Sequence, residues 1–269
     1  MYKTTTRHLD TAGTQMRKRH GMKILTLDIE TMYAIVHTWS LFPKYISPTD
    51  VITPGYTLCW AAQWDDSRDV MFGRMETPGG LRRIYDLLDE ADAVVTYNGV
   101  SFDMKHLNKD FAMLGLPPPS SYHNIDLYQT VKKQFKMQSN KLEFIAQQFK
   151  LGSKVKHPGM ELWDRVRAGD AKAWAIMERY NKQDVRLTRK LYHHILPWIH
   201  NHPNVGLWVM DTGKPVCTNC GSKKLQLKGT QYNTKVASYR RYQCTSCGTP
   251  LRGRFTSRPK DPTILSRTP

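Results

Sequence analysis

Several stretches of the chain place acids where acids are costly. The stretch ILTLDIET, residues 24–31, is apolar and β-branched, and it carries Asp28 and Glu30 two residues apart near its end. Side chains alternate faces along a strand, so these two carboxylates point the same way, roughly 6–7 Å apart. Like charges held that close repel, and each is costly to desolvate. Asp184 falls on the packing stripe of a helix, four residues after Tyr180 and three before Leu187. Asp103 shares a helix face with Leu107 and Leu114. Taken singly, each has a simpler account: a strand end reaching solvent, an ion pair with a nearby Arg, an acid favoured by a helix N-terminus. A single cause covers all four. Carboxylates converging at the end of a sheet form a hard, oxygen-rich site for Mg²⁺ or Mn²⁺. Two such ions, about 3.5–4 Å apart, can clamp the attacking and leaving oxygens of an in-line displacement at phosphorus.

A second constellation is soft. CTNCG and CTSCG supply Cys217, Cys220, Cys244 and Cys247, with 23 residues between the pairs. Each Cys-x2-Cys-Gly unit makes a tight knuckle, and two knuckles offer four thiolates to one tetrahedral Zn²⁺. The intervening KLQLK and YRRYQC alternate as a hairpin does, and the whole resembles a zinc ribbon. With no large core in this segment, metal should supply much of its folding energy. The fifth cysteine, Cys59, sits in the apolar run YTLCWAAQW and reads as an inert core residue.

These groups need elements to position them. Strand patterns cover Lys23–Glu30, YTLCWAAQW, DVMFGRM and DAVVTYN, and NIDLYQTV reads as a short strand or a strand-to-helix turn. Helical periodicity marks LRRIYDLLDEA, SFDMKHLNKDFAMLGL, KLEFIAQQFKLG and a long helix over 171–195 capped by Asp170. Ala34–Gly55, with three prolines, and SKVKHPGMELW read as loops. Hairpin-linked strands followed by strands alternating with helices predict an α/β fold, a mixed sheet with helices packed on it.

The charge is uneven. Of 40 Lys and Arg, twelve lie in 205–269 against two acids, and five lie in 1–22 against one. Such basic ends suit a polyanion, most simply nucleic acid. No apolar run reaches the ~20 residues of a membrane helix. The N-terminus lacks a secretory core, and paired CxxC units fit a reducing compartment. The expectation is therefore an intracellular, cytoplasmic protein without membrane contact.

DIET, NGVSFD and YNKQD together resemble the three motifs of the ribonuclease H-like 3′–5′ exonuclease superfamily. Tyr180 stands four before Asp184, and Arg179 occupies the position five before it, so the chain resembles the tyrosine (DEDDy) branch. The resemblance covers roughly residues 23–198. It implies an α/β ribonuclease H-like domain, drawn over 23–204; composition sets a basic arm before it (1–22) and a basic flexible tail over 253–269, and the cysteine pattern sets the zinc ribbon over 205–252. It also implies that Asp28, Glu30, Asp103 and Asp184 hold two Mg²⁺ or Mn²⁺ ions and that Tyr180 orients the attacking water. The implied activity is removal of nucleoside monophosphates from a single-stranded 3′ end, with DNA favoured over RNA. Asn98 and Phe102 would line the groove for the terminal nucleotide, and Met32 and Tyr33 would contact its base or sugar. Asp126 would be structural or supporting. Lys154, Lys156 and His157 either hold phosphate or form a solvated loop. Arg240 and Arg241, with Tyr232, Tyr239 and Tyr242, could meet the strand on the ribbon. Two alternatives remain: a strand-binding module without turnover, or a proofreading-type subunit whose ribbon grips a polymerase or repair complex.

Overall fold

The computed structural model describes residues 21–209 and 213–258, together with 263 and 265. Residues 1–20 of the expected arm and the end of the expected tail lie outside the described residues. In chain order the elements are β1 (Ile24–Met32), β2 (Ile35–Val36), β3 (Val51–Thr53), β4 (Tyr56–Trp64), β5 (Met71–Arg74), α1 (Gly80–Glu90), β6 (Ala93–Thr96) and α2 (Asp103–Met113). Then come β7 (His123–Asp126), α3 (Leu127–Gln134), α4 (Leu142–Gln148), α5 (Met160–Arg167), α6 (Ala171–Ile195), β8 (Leu225–Asn233), β9 (Ser238–Cys244) and β10 (Pro250–Thr256).

The main sheet has the order β5-β4-β1-β6-β7. β4 pairs antiparallel with β1 and β5, while β6 runs parallel to β1 and to β7, so the sheet is mixed. This is the mixed sheet expected from the pattern of hairpin strands followed by crossovers, and it agrees with the ribonuclease H-like fold that the motif resemblance implies. Strand alternation splits β1 between two layers. Leu25, Leu27 and Ile29 pack with Ile84, Leu88, Leu107 and Phe111 of α1 and α2. On the other face, Ile24, Ala93, Val95 and Ile125 pack with Ile145 of α4 and with Leu187, Leu191 and Ile195 of α6. Asp28 and Glu30 are thereby aimed at the α6 side. Cys59 is fully buried in a third cluster with Trp174 and Met177.

Three elements depart from expectation. Ala34–Gly55 is not all loop, because β2 and β3 pair there as a small hairpin. Strands of two and three residues are too short to display alternation. SKVKHPGMELW is not all loop either: α5 begins at Met160, after Gly159 in the left-handed region (φ 71°). Two helical turns burying only Leu162 and Val166 carry little periodic signal. Finally, β10 joins a three-stranded sheet of order β10-β9-β8 and runs to Thr256, so residues 253–256 are strand rather than flexible tail.

Candidate active site

β1 and α6 supply the acids. Oxygens of Asp28, Glu30 and Asp184 lie within 4.8 Å of one another. At that separation two unit charges repel by about 3–4 kcal/mol at an effective dielectric near 20. Burial pushes the Asp28 carboxyl well above the usual range, and Asp184, Asp103 and Glu30 add to the push. Glu30 is pushed up to about 8, first by burial and then by Asp184. Burial raises Asp184 as well, against the pull of Lys154. Asp103 heads α2 beside this trio rather than within it: its Oδ1 accepts the Ile29 N–H at 3.0 Å, and burial lifts it to about 7. The expected convergence of four acids is thus a close group of three with Asp103 adjoining, near enough to push up Asp28 and Glu30.

Two residues stand out at the site that the motifs do not single out. Asn181, fully buried, donates from Nδ2 to Asp28 Oδ2 at 2.7 Å and fixes that carboxylate. Its signal was an amide on an apolar helix face beside Tyr180. Lys154, expected on phosphate or in solvent, instead turns inward. Its Nζ donates to Asp184 Oδ2 at 2.5 Å and to the Tyr180 hydroxyl at 3.3 Å. Burial disfavours the ammonium, yet Asp184 and Tyr180 hold its pKa above the ordinary lysine value. Tyr180 itself is pushed up to about 12 by burial and by Asp184, so its hydroxyl keeps its proton at neutral pH.

The donor set fits divalent cations. Asp184 Oδ1 is buried and accepts no hydrogen bond among the described residues. One lysine charge faces three clustered carboxylates, and acid oxygens are the ligands Mg²⁺ and Mn²⁺ prefer. A groove of about 960 Å³ opens over this centre, and Asp28, Asn98, Lys156, His157, Tyr180 and Asp184 are among its walls. Asn98 adopts a left-handed backbone (φ 68°), which Asn tolerates. Buried Asp126 pins that turn, accepting the Asn98 N–H at 2.9 Å and the Val100 N–H at 3.3 Å. Gly99 follows because a Cβ there would meet Thr96 at 2.4 Å.

Other expected contacts fall elsewhere. Met32 is 2% exposed in the third core cluster and cannot reach a nucleotide. Tyr33 bonds Asp164 of α5 and lies under the Arg167 guanidinium, so it anchors that helix. Phe102 stands half-exposed against His106 at the head of α2, outside the groove walls. Strand register puts Arg240 and Arg241 on opposite faces of the small sheet.

The four cysteines form a second centre. Sγ atoms of Cys217 and Cys247, and of Cys220 and Cys244, are 3.6 Å apart. That excludes disulfides, at about 2.05 Å. It approaches the tetrahedral edge of about 3.7–3.8 Å that four Zn–S bonds of about 2.3 Å generate. Each knuckle closes with a glycine N–H on the first cysteine carbonyl (Gly221 on Cys217, Gly248 on Cys244), and both glycines are left-handed. Burial raises the thiols of Cys217 and Cys220, whereas the N–H groups of Cys247 and Ser246 outweigh burial and draw Cys244 down to about 7. The centre is consistent with a zinc ribbon. The knuckles are not separate from the main domain. Cys220 and Cys247 pack on its core cluster, and Asn219 Nδ2 donates to Leu196 O, just beyond α6, at 3.0 Å.

The acid cluster sets a pH dependence. Glu30 holds its proton more tightly folded (about 8) than at its ordinary value of 4.5. Folded chain therefore binds more protons between those values, and stability falls as pH rises through that window. Lys154 adds no slope there, since it is charged in both states throughout. The metal-free chain should melt lower at pH 8 than at pH 6, and added Mn²⁺ should raise its melting temperature more at pH 8. Melting curves at both pH values check this; a flat or rising apo profile would contradict it.

Residues 59–196 match the family model of the RNase_H superfamily, and the chain belongs to that superfamily. Among solved structures, it is similar to the family B DNA polymerase from the hyperthermophilic archaeon Pyrobaculum calidifontis, with a TM-score of 0.50 and 22% identity. That match covers 65% of this chain and 25% of the polymerase, so the chain spans about a quarter of its length, and the likeness is one of fold. No curated protein matches the chain. Among the described residues no helix is long and apolar enough to cross a membrane.

Proposed function

We propose that this chain is a metal-dependent 3′–5′ exonuclease of the tyrosine (DEDDy) branch, hydrolysing the terminal phosphodiester of a single strand and releasing nucleoside monophosphates. DNA is the favoured substrate. The observation that carries the reading is the trio Asp28, Glu30 and Asp184 within 4.8 Å, with Asp103 adjoining, and with Asp28 and Asp184 opening onto a groove.

Asp28, Glu30 and Asp184 would hold the cations, with Asp103 as the fourth acid. When bound, two divalent ions supply charge stabilisation at phosphorus and a water of lowered pKa. The chain's own residues do the rest. Asn181 orients Asp28 through the 2.7 Å hydrogen bond. Tyr180, protonated, directs the attacking water by hydrogen bonding rather than removing its proton. Lys154 fixes Tyr180 against Asp184 and lends positive charge where negative charge develops. Asn98, Lys156 and His157 line the path of the last nucleotides. The cysteine centre would hold one structural Zn²⁺.

The test is a substrate panel with Mg²⁺ or Mn²⁺: DNA and RNA, single and double strand, each blocked or free at either end. Loss of signal from strands with a free 3′ end, with mononucleotide product, supports the reading. Equal degradation of 3′-blocked strands would overturn the polarity. Strand binding without product would make the chain a binding module. Tyr180→Phe should slow turnover by about 10²-fold, the scale of a lost positioned proton donor, without lowering the melting temperature appreciably. An unchanged rate would remove Tyr180 from the mechanism.

A further inference from the structure

The small sheet has a face that the acid-lined groove leaves unused. Lys228 of β8, Arg241 of β9 and Arg252 of β10 stand directly opposite one another across the three strands. Opposed residues share a face, so this is a row of three cations spaced about 4.8 Å apart. Tyr239, two residues before Arg241, continues the same face and is paired with Tyr232. The Arg252 guanidinium lies 4.2 Å from the Tyr239 ring centroid and 5.8 Å from that of Tyr232. None of the three cations meets a carboxylate among the described residues. Their polar contacts are Lys228 to Gln226, Arg241 to Thr230 and Arg252 to Gly253 O. The acids of this segment, Asp211 and Asp261, lie outside the described residues.

Like charges directly opposite across strands destabilise a sheet. A row of three therefore asks for an external anion with repeated charge. Two tyrosines beside it add flat surfaces on which bases stack, and bases offer their faces only when unpaired. We infer that the Lys228–Arg241–Arg252 face is a second binding surface, taking single-stranded nucleic acid outside the groove. This rests on the nuclease reading for its substrate class. Register turns Arg240 and Tyr242 to the opposite face, beside Leu225 and Leu251 in a groove of about 630 Å³ that Arg252 also borders, so this inference selects Arg241 and not Arg240.

The experiment is anisotropy of a labelled 25-nucleotide single strand with the full chain, without Mg²⁺, as salt is varied. Lys228→Ser/Arg241→Ser/Arg252→Ser should weaken binding about 10²-fold near 0.1 M salt and flatten the log–log salt slope by about 2, at roughly 0.7 per lost contact. Lys223→Ser/Lys224→Ser/Lys235→Ser removes the same charge elsewhere on the ribbon, outside the paired row, and should change affinity less than about threefold. Relieved repulsion and the lost Arg252–tyrosine contact oppose each other, so the first variant should keep the wild-type far-UV circular dichroism, which checks that lost affinity is not lost folding. Unchanged affinity overturns the inference and leaves the face to an acidic protein. Equal losses in both variants also overturn it, as nonspecific charge. Cleavage with Mg²⁺ is a separate assay, so a chain that binds but never cuts would sink the nuclease reading alone.

Discussion

Asp184→Asn is expected to lower strand cleavage by about 10²–10³-fold, the scale on which loss of one preorganised electrostatic group acts. The substitution keeps volume and shape, so the α6 packing around Leu187 and Leu191 should survive. What changes is charge: one of three clustered oxygen donors becomes neutral, and its buried, unbonded Oδ1 is no longer anionic. Lys154 also loses the partner that holds it at 2.5 Å. Strand affinity should be equal or tighter, since an anion leaves a groove that receives a polyanion. Product release with Mg²⁺ or Mn²⁺, set beside anisotropy without metal, separates the two. A parallel loss of binding would remove Asp184 from the chemistry and make it a support of the groove.

On the reading of the four-cysteine centre as a zinc site, removing that metal by a chelator, or a ligand by Cys217→Ser, should unfold the small sheet. In that segment the buried described residues are Cys217, Asn219, Cys244 and Thr249, which is no hydrophobic core. Structural zinc in such modules supplies apparent binding energies of about 10–16 kcal/mol, comparable with the stability of a whole domain. The effect should spread. Leu196 O would lose its buried donor from Asn219, and the core cluster would lose its cover from Cys220 and Cys247. A buried carbonyl left without its hydrogen bond costs about 1–3 kcal/mol, so the main transition should fall by roughly 2–10 °C. Calorimetry before and after chelation checks both events. An unmoved main transition would mean that the ribbon and the main domain fold independently.

What was legible in the chain follows from period. Asp28 and Glu30 sit two apart in a strand, and Tyr180 and Asp184 sit four apart in a helix, so each pair declares a shared face without coordinates. The same logic found the main sheet strands and α6. It failed where the determinant lies across the fold. Lys154 looks like any loop lysine until Asp184, thirty residues on, is seen to hold it. Asn181 differs from an ordinary helix amide only through β1, which lies 153 residues away in sequence. Met32 and Tyr33 follow the first motif closely, yet one turns into the core and the other toward Asp164. Short elements such as β2 and α5 carry too few residues for any period to register.

α6 bears the Tyr180 phenol and Asp184 near its middle and meets the cysteine knuckles just beyond its C-terminal end. It acts as a fixed ruler. On the reading proposed here, an oligonucleotide too short to stretch from one station to the other is retained by the groove alone, whereas a longer one is held twice. The enzyme would then sort its substrates by length, and shortening products would be let go at a size set by a rod of helix rather than by their sequence.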